Sequence, residues 1–194
     1  FAKVAASHQD WMLVFAGNGE INKGKQIAHE LGIGKQVLWL GWVTGPDKDR
    51  AFREATVFCL PSYAEGFPMG VLDAWSYGLP VVTTPVGGIP DVAENGKNML
   101  LFNPGDIENL ASCLGRIMDS KDLRDKISAE SIKFAKGIFN ITTCNQAIDN
   151  IYKELLLKHK TMMTWILEHL IYPLFTKYSG GFQEINNRLE VCQI

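Results

Sequence analysis

The sequence predicts an α/β protein with a doubly wound parallel sheet, helices on both of its faces, and a helical extension at the C-terminal end. Three observations carry this. Short continuous apolar runs alternate with helix-like segments from Trp11 to Phe102, turn residues punctuate the alternation, and from Asp106 onward the pattern is helical only.

Trp11 to Ala16 is an apolar run ended by Gly17-Asn18-Gly19, which fits a strand buried on both faces and a tight turn. Glu20 to Leu31 reads as helix. Val37 to Leu40 (strand), Asp47 to Ala55 (helix), Val57 to Leu60 (strand), Met69 to Tyr77 (helix), Val81 to Thr84 (strand) and Met99 to Phe102 (strand) continue the alternation. The helical part comprises Asp106 to Met118, Ser120 to Lys136 and Ile141 to about Phe175 with a break. Ser120 is placed as an N-cap and Gly137 as a terminator. In the last segment Tyr152, Leu155, Leu156, His159, Met163, Ile166, Leu167, Leu170 and Leu174 form one apolar stripe that needs a partner surface. Ser179 to Ile194 has little pattern. Residues 1–157 are expected to form the sheet domain and 158–194 the extension.

Composition narrows the function. With 194 residues, 46% apolar and 21% charged, the chain can build one complete domain with an appendage, and it is neither disordered nor a disulfide scaffold. Lys and Arg number 19 against 21 Asp and Glu, and no basic run occurs, so nucleic acid is not an expected partner. Cys59, Cys113, Cys144 and Cys192 have no metal-ligand spacing and suit a reduced, cytoplasmic setting. Met162 to Phe175 is interrupted by Glu168, His169 and Pro173 and is too short to span a bilayer. Phe1 to Ala5 reads as the middle of a helix, without an initiator Met, an N-cap or a signal peptide, so a fragment of a longer protein is expected.

The segment Leu60 to Ala74 carries the chemistry. It leaves the carboxyl end of an expected strand and enters a helix that Pro68 can open. Ligands of open α/β sheets sit outside the carboxyl ends of the strands, and helix N-termini favour phosphate. Glu65 and Asp73, eight residues apart, can read hydroxyl groups at two ends of one phosphorylated ligand.

The run Glu65-Gly66-Phe67-Pro68-Met69-Gly70-Val71-Leu72-Asp73-Ala74, with Tyr77 to Thr84 and Gly87-Gly88-Ile89-Pro90-Asp91, resembles the family 4 glycosyltransferases, retaining enzymes of the two-domain GT-B architecture. Phe15 to Glu20, Val37 to Val43 and Glu94 to Leu101 extend the resemblance, which spans about Phe1 to Met118. It implies a Rossmann-like donor-binding half of a GT-B fold, with the acceptor domain upstream and absent from this chain. It further implies a nucleoside diphosphate sugar as donor substrate, no cofactor, no metal, and a saccharide or lipid-linked acceptor. A lipid-linked acceptor would bring the protein to the inner face of the cytoplasmic membrane.

By the same resemblance Glu65 contacts donor-sugar hydroxyls beside the anomeric carbon, and Asp73 binds the ribose hydroxyls. The backbone around Gly66, Phe67, Met69 and Gly70 holds sugar and diphosphate, Val43 packs the nucleobase, and Gly17 and Gly19 let the backbone approach the nucleotide. Asp73 stands where the family usually has Glu, one methylene longer. The family's basic pair for the diphosphate falls on a segment before Phe1.

Beside these roles stand plainer readings. Gly87 and Gly88 either shape a turn or bring their loop to the donor. Trp39, Trp42, Trp75 and Trp165 are expected in core packing, with Trp42 also placed to line a base pocket, and His8, His29, His159 and His169 in helices as surface or packing residues. Rival functions are a nucleotide-sugar binding module without turnover, a GT-B nucleotide-sugar epimerase, and an unrelated flavodoxin-like domain.

Overall fold

A computed structural model describes residues 1–137 and 139–171. The chain divides into two compact units, Phe1–Asn140 and Ile141–Ile194.

The first unit is α/β. Its elements are α1 (Ala2–Ala5), β1 (Leu13–Ala16), α2 (Ile21–Glu30), β2 (Val37–Gly41), α3 (Gly45–Glu54), β3 (Phe58–Leu60), α4 (Met69–Ser76), β4 (Val81–Thr83), β5 (Leu100–Leu101), α5 (Ile107–Asp119) and α6 (Lys121–Lys136). Every ladder is parallel. β1 pairs with β2, and β4 lies between β3 and β5 in a second sheet.

The second sheet is covered on both faces, as its continuous apolar runs require. Alternation along the strands divides the core. Val82 and Leu100 face one way, toward Val4 of α1, Leu114 and Ile117 of α5 and Ile127 of α6. Val81 faces the other way with Val71 and Trp75 of α4, Ile89 and Met99. Val81 and Val82 are fully buried, so β4 is the central strand of its sheet.

The first sheet departs from expectation. α2 lies over Trp39, close enough that a Cβ at Gly24 would stand 2.3 Å from its ring, and Phe15 stacks on Trp39 at 4.4 Å. The opposite face is open: Val14, Leu38 and Leu40 are 47%, 45% and 39% exposed. An apolar run shows that a strand suits burial, but the second covering layer has to come from elsewhere in the fold. The expectation of a strand at 11–16 buried on both faces is therefore corrected.

Capping follows the sequence closely. Asp106 accepts from the Asn109 N–H at 3.0 Å and Ser120 from the Leu123 N–H at 3.1 Å, each satisfying a donor that the first helical turn leaves unpaired. Gly137 follows α6 as its C-cap, its N–H donating to the Lys133 carbonyl. Arg124 adds a device that spacing did not suggest: its Nη1 donates to the carbonyls of Ile117 at 2.8 Å and Met118 at 2.7 Å, closing the end of α5.

The second unit contains α7 (Ile141–Ile166) and a π-helical turn, Leu167–Ile171. The expected break is thus a change of helical pitch at Leu167. The boundary expected between residues 157 and 158 falls inside α7, and the division comes at Asn140 instead. No residue of α7 is buried, and Tyr152 and Leu156 of the apolar stripe are 64% and 69% exposed. Trp165 is 54% exposed and stacks on His169, so its expected place in a core is corrected. Among the described residues no helix is long and apolar enough to cross a membrane. Leu174, Cys192 and the segment 179–194 lie outside the described residues.

His8 follows α1 rather than lying in a helix, and it fastens this segment to α5. Its Nε2 is 3.0 Å from Asp119 Oδ1 and its Nδ1 is 2.8 Å from the Val4 carbonyl. Ser7 Oγ, also 3.0 Å from Nδ1, has the Val4 carbonyl as an acceptor for its own proton at 3.0 Å, so with acceptors at both nitrogens the ring is best satisfied doubly protonated. The carbonyl hydrogen bond first, and then the bond to Asp119, raise its pKa above the ordinary 6.5. The resulting stability is fully present below the unfolded value and is lost as pH rises through the raised folded value. Wild type should accordingly exceed His8→Gln in Tm by a larger margin near pH 5 than near pH 9, values flanking an ordinary histidine pKa of about 6.5. An equal margin at both, by calorimetry, would discard the assignment.

Candidate functional site

The loop from Pro61 to Pro68 leaves β3 at its carboxyl end and is tied to the strand beside it. Thr83 Oγ1 donates to the Leu60 carbonyl at 2.9 Å, Thr84 Oγ1 to the Ser62 carbonyl at 2.6 Å, and the Gly88 N–H to the Gly66 carbonyl at 2.7 Å. Thr83 and Thr84 are almost wholly buried, so hydroxyls without these acceptors would each cost about 1–3 kcal/mol. In the sequence Thr83 and Thr84 stand at the end of a strand and of the run from Tyr77, and nothing local marks these long-range bonds.

Within this loop Glu65 is half-buried, and Ser62 Oγ donates to its Oε1 at 2.7 Å. The carboxylate is thereby oriented by its own loop. Pro68 is buried and precedes α4 with φ −73°, leaving Met69 and Gly70 in the first turn, where helical N–H groups have no intrahelical partner. Met69 is 66% exposed. The Phe67 ring points away from any such role, packing on Phe139 at 5.3 Å, so only its backbone is offered at the loop.

Gly87 and Gly88 serve close approach. Gly87 has φ +60°, and a Cβ there would stand 2.1 Å from the Gly66 carbonyl oxygen and 2.5 Å from that of Glu65. A Cβ at Gly88 would meet the Phe67 ring at 2.4 Å. Both glycines therefore do more than shape a turn: they seat the loop after β4 against the backbone that carries Glu65.

Asp73 lies on α4 and is partnered across to α3, with Lys48 Nζ 2.6 Å from its Oδ2. One turn further along, Tyr77 Oη donates to Asp49 Oδ1 at 2.5 Å and Arg53 Nε to Asp49 Oδ2 at 2.7 Å. The Arg53 bond first, and then the Tyr77 bond, hold the Asp49 carboxyl below its ordinary pKa, while the bond to Asp49 raises that of Tyr77. Spacing could not point to Lys48, which stands 25 residues before Asp73 in the chain.

The remaining candidates follow β1 and β2. Register pairs Ala16 with Gly41, and the Gly17 N–H donates to the Gly41 carbonyl at 2.6 Å, so the two carboxyl ends lie side by side. A Cβ added at Gly17, Gly19, Gly41 or Gly66 would meet no atom within 4 Å. The backbone is thus open at these points. Gly41, at φ +69°, turns the chain toward Trp42 and a half-buried Val43. Trp42 is 71% exposed, which corrects its expected place in the core, whereas Trp75 is fully buried as expected. Among the described residues no three His, Cys, Asp or Glu side chains gather as metal ligands. Cys59 is half-buried, and the withdrawal of its sulfur from water pushes the thiol up to about 11 and leaves it protonated at neutral pH.

Gly87→Ala should be severe, because it adds a Cβ against the Gly66 carbonyl and strains a left-handed backbone. A loss of about 2 kcal/mol or more is expected by chemical denaturation. A Gly87→Ala protein as stable as wild type would refute the close approach.

The family model described as glycosyl transferases group 1 matches residues 1–134. The lipopolysaccharide 1,6-galactosyltransferase of Salmonella typhimurium is 32% identical over 125 residues, which are 62% of this chain and 35% of that protein. The crystal structure of HepE from Anabaena in complex with UDP aligns with a TM-score of 0.70 at 21% identity, covering 79% of this chain and 44% of its own. The C-terminal domain of a glycosyl transferase group 1 family protein from Francisella tularensis, LpcC, aligns with a TM-score of 0.66 at 21% identity, covering 72% of this chain and 75% of its own. These likenesses agree with the α/β fold of parallel sheets flanked by helices. The chain spans about 35% of the length of the curated galactosyltransferase it matches. With a family match running from the first residue through nearly all of α6, the chain belongs to the glycosyl transferases group 1.

Proposed function

We propose that the chain is the donor-binding, C-terminal half of a retaining, family 4 glycosyltransferase. It would move a sugar from a nucleoside diphosphate to a saccharide or a lipid-linked acceptor, with an N-terminal domain of the same protein supplying the acceptor side. The observation that carries this is the Glu65 loop, an oriented carboxylate at the carboxyl end of a parallel strand, followed directly by the first turn of α4. The family match and the UDP present in the HepE structure add support.

The chemistry asks for two things at once. As the bond from the anomeric carbon to the diphosphate breaks, its electron pair leaves with the diphosphate, and positive charge grows on the carbon. The acceptor oxygen then bonds to that carbon, and its proton passes to the departing diphosphate oxygen. Glu65, fixed by Ser62, would hold donor hydroxyls beside the carbon and stabilise its cationic character. The N–H groups of Met69 and Gly70 would face the departing negative charge, favoured by the dipole of α4. Gly17, Gly19 and Gly66 leave room for the ligand to approach the backbone, Val43 would pack the base, and Asp73 would take the ribose hydroxyls.

Two substitutions separate these roles. In the intact protein, Glu65→Ala should lower kcat by about a hundredfold or more, the scale expected for loss of a transition-state contact. Near-normal turnover would take Glu65 out of the mechanism. Asp73→Ala should raise the donor KM roughly tenfold with little change in kcat, as loss of uniform binding does. An unchanged donor KM would reject the ribose assignment.

A further inference from the structure

Asp73 has two carboxylate oxygens, and the structure gives them unequal surroundings. Oδ2 is engaged by Lys48 at 2.6 Å, and Oδ1 has no hydrogen bond among the described residues. Solvent-exposed pairs of this kind usually contribute little, because two long side chains must be immobilised. Here much of that immobilisation is already supplied. Lys48 Nζ stands 5.8 Å from the centre of the Phe52 ring, one turn along α3. Phe52 is itself held by stacking on Tyr77 at 5.3 Å and on Phe58 at 5.7 Å, and Tyr77 is held by its bond to Asp49.

The result is a ladder between two helices. Lys48 and Asp49 on α3 meet Asp73 on α4 and Tyr77 at its C-cap, with Asp73 and Tyr77 one turn apart and therefore on the same face. The first rung lies next to the segment proposed for the base, since the Lys48 N–H reaches back to the Thr44 carbonyl, immediately after Val43.

We propose that Lys48 is a positioning residue for the donor's ribose. By taking Oδ2 it fixes the Asp73 carboxylate in one orientation and leaves Oδ1 as the acceptor for the vicinal ribose hydroxyls. The ligand class this selects is a nucleoside diphosphate with an intact ribose diol. The inference rests on the donor-site reading above, and the experiment is chosen so that the two can fail separately.

Binding to the intact protein is measured by calorimetry for UDP, GDP and ADP and for their 2′,3′-dideoxy counterparts. One ribonucleotide should bind wild type roughly tenfold more tightly than its dideoxy form, a ratio in the range of one charged hydrogen bond. Lys48→Met should reduce that ratio to about two or less, while Lys48→Arg, which can still donate to Oδ2, should restore most of it. Melting curves for each variant check that the Asp49–Tyr77 rung still holds the helices together. Were Lys48→Met to weaken ribo and dideoxy forms equally, Lys48 would be acting on phosphate charge or as a strut, and the positioning role would be overturned while the donor site stood. If wild type bound none of the three nucleotides, the donor-site reading would fall and the inference with it.

Discussion

Thr83 and Thr84 fasten the loop after β3 to the carboxyl end of β4, and the placement of the candidate site follows from that anchorage. β4 is a rigid reference because side chains cover both of its faces. A loop hung from the end of that strand by two hydroxyls, and from the loop that follows it by the Gly88 N–H, inherits that rigidity. The glycine pair at 87–88 completes the support, Gly87 by allowing backbone against the Glu65 and Gly66 carbonyls and Gly88 by leaving room for the Phe67 ring. Precision at the carboxylate proposed to meet a short-lived charge depends on this kind of support.

A second anchorage, of different chemistry, serves Asp73. Where the Glu65 loop is held by neutral hydrogen bonds to a buried strand, Asp73 is held by an ion pair between two half-exposed side chains, steadied by a stack of aromatic rings. The division suits the roles proposed for the two residues. Reading a ribose calls for an acceptor that can exchange water for ligand, whereas stabilising charge at a reacting carbon calls for a group that scarcely moves.

Much of this was legible beforehand. The alternation of apolar runs and helical segments gave the element order, and Asp106, Ser120 and Gly137 stand where local chemistry puts caps. The linked motifs from Phe15 to Leu101 pointed to a glycosyltransferase relationship, and the family match agrees with it. Less legible were the residues whose partners lie far along the chain. Lys48 has no local pattern that marks it out. Thr83 and Thr84 resemble any β-branched residues at a strand end, and Trp42 resembles any large apolar residue until its surroundings are seen.

What the sequence determined by itself was therefore everything set within a turn or two of chain: periodicity, capping, turn residues and the motif that unites Glu65 with the opening of α4. Only the tertiary structure decided which apolar faces are covered, leaving Val14, Leu38 and Leu40 open while Val81 and Val82 are sealed. It also decided which lysine meets Asp73, which backbone Gly87 must let pass and which ring Gly88 must leave room for. The physical reason is that local preferences are fixed by the dihedral angles and hydrogen bonds of neighbouring residues. Burial and long-range pairing exist only after distant segments have been brought together, and no short stretch of sequence carries that information.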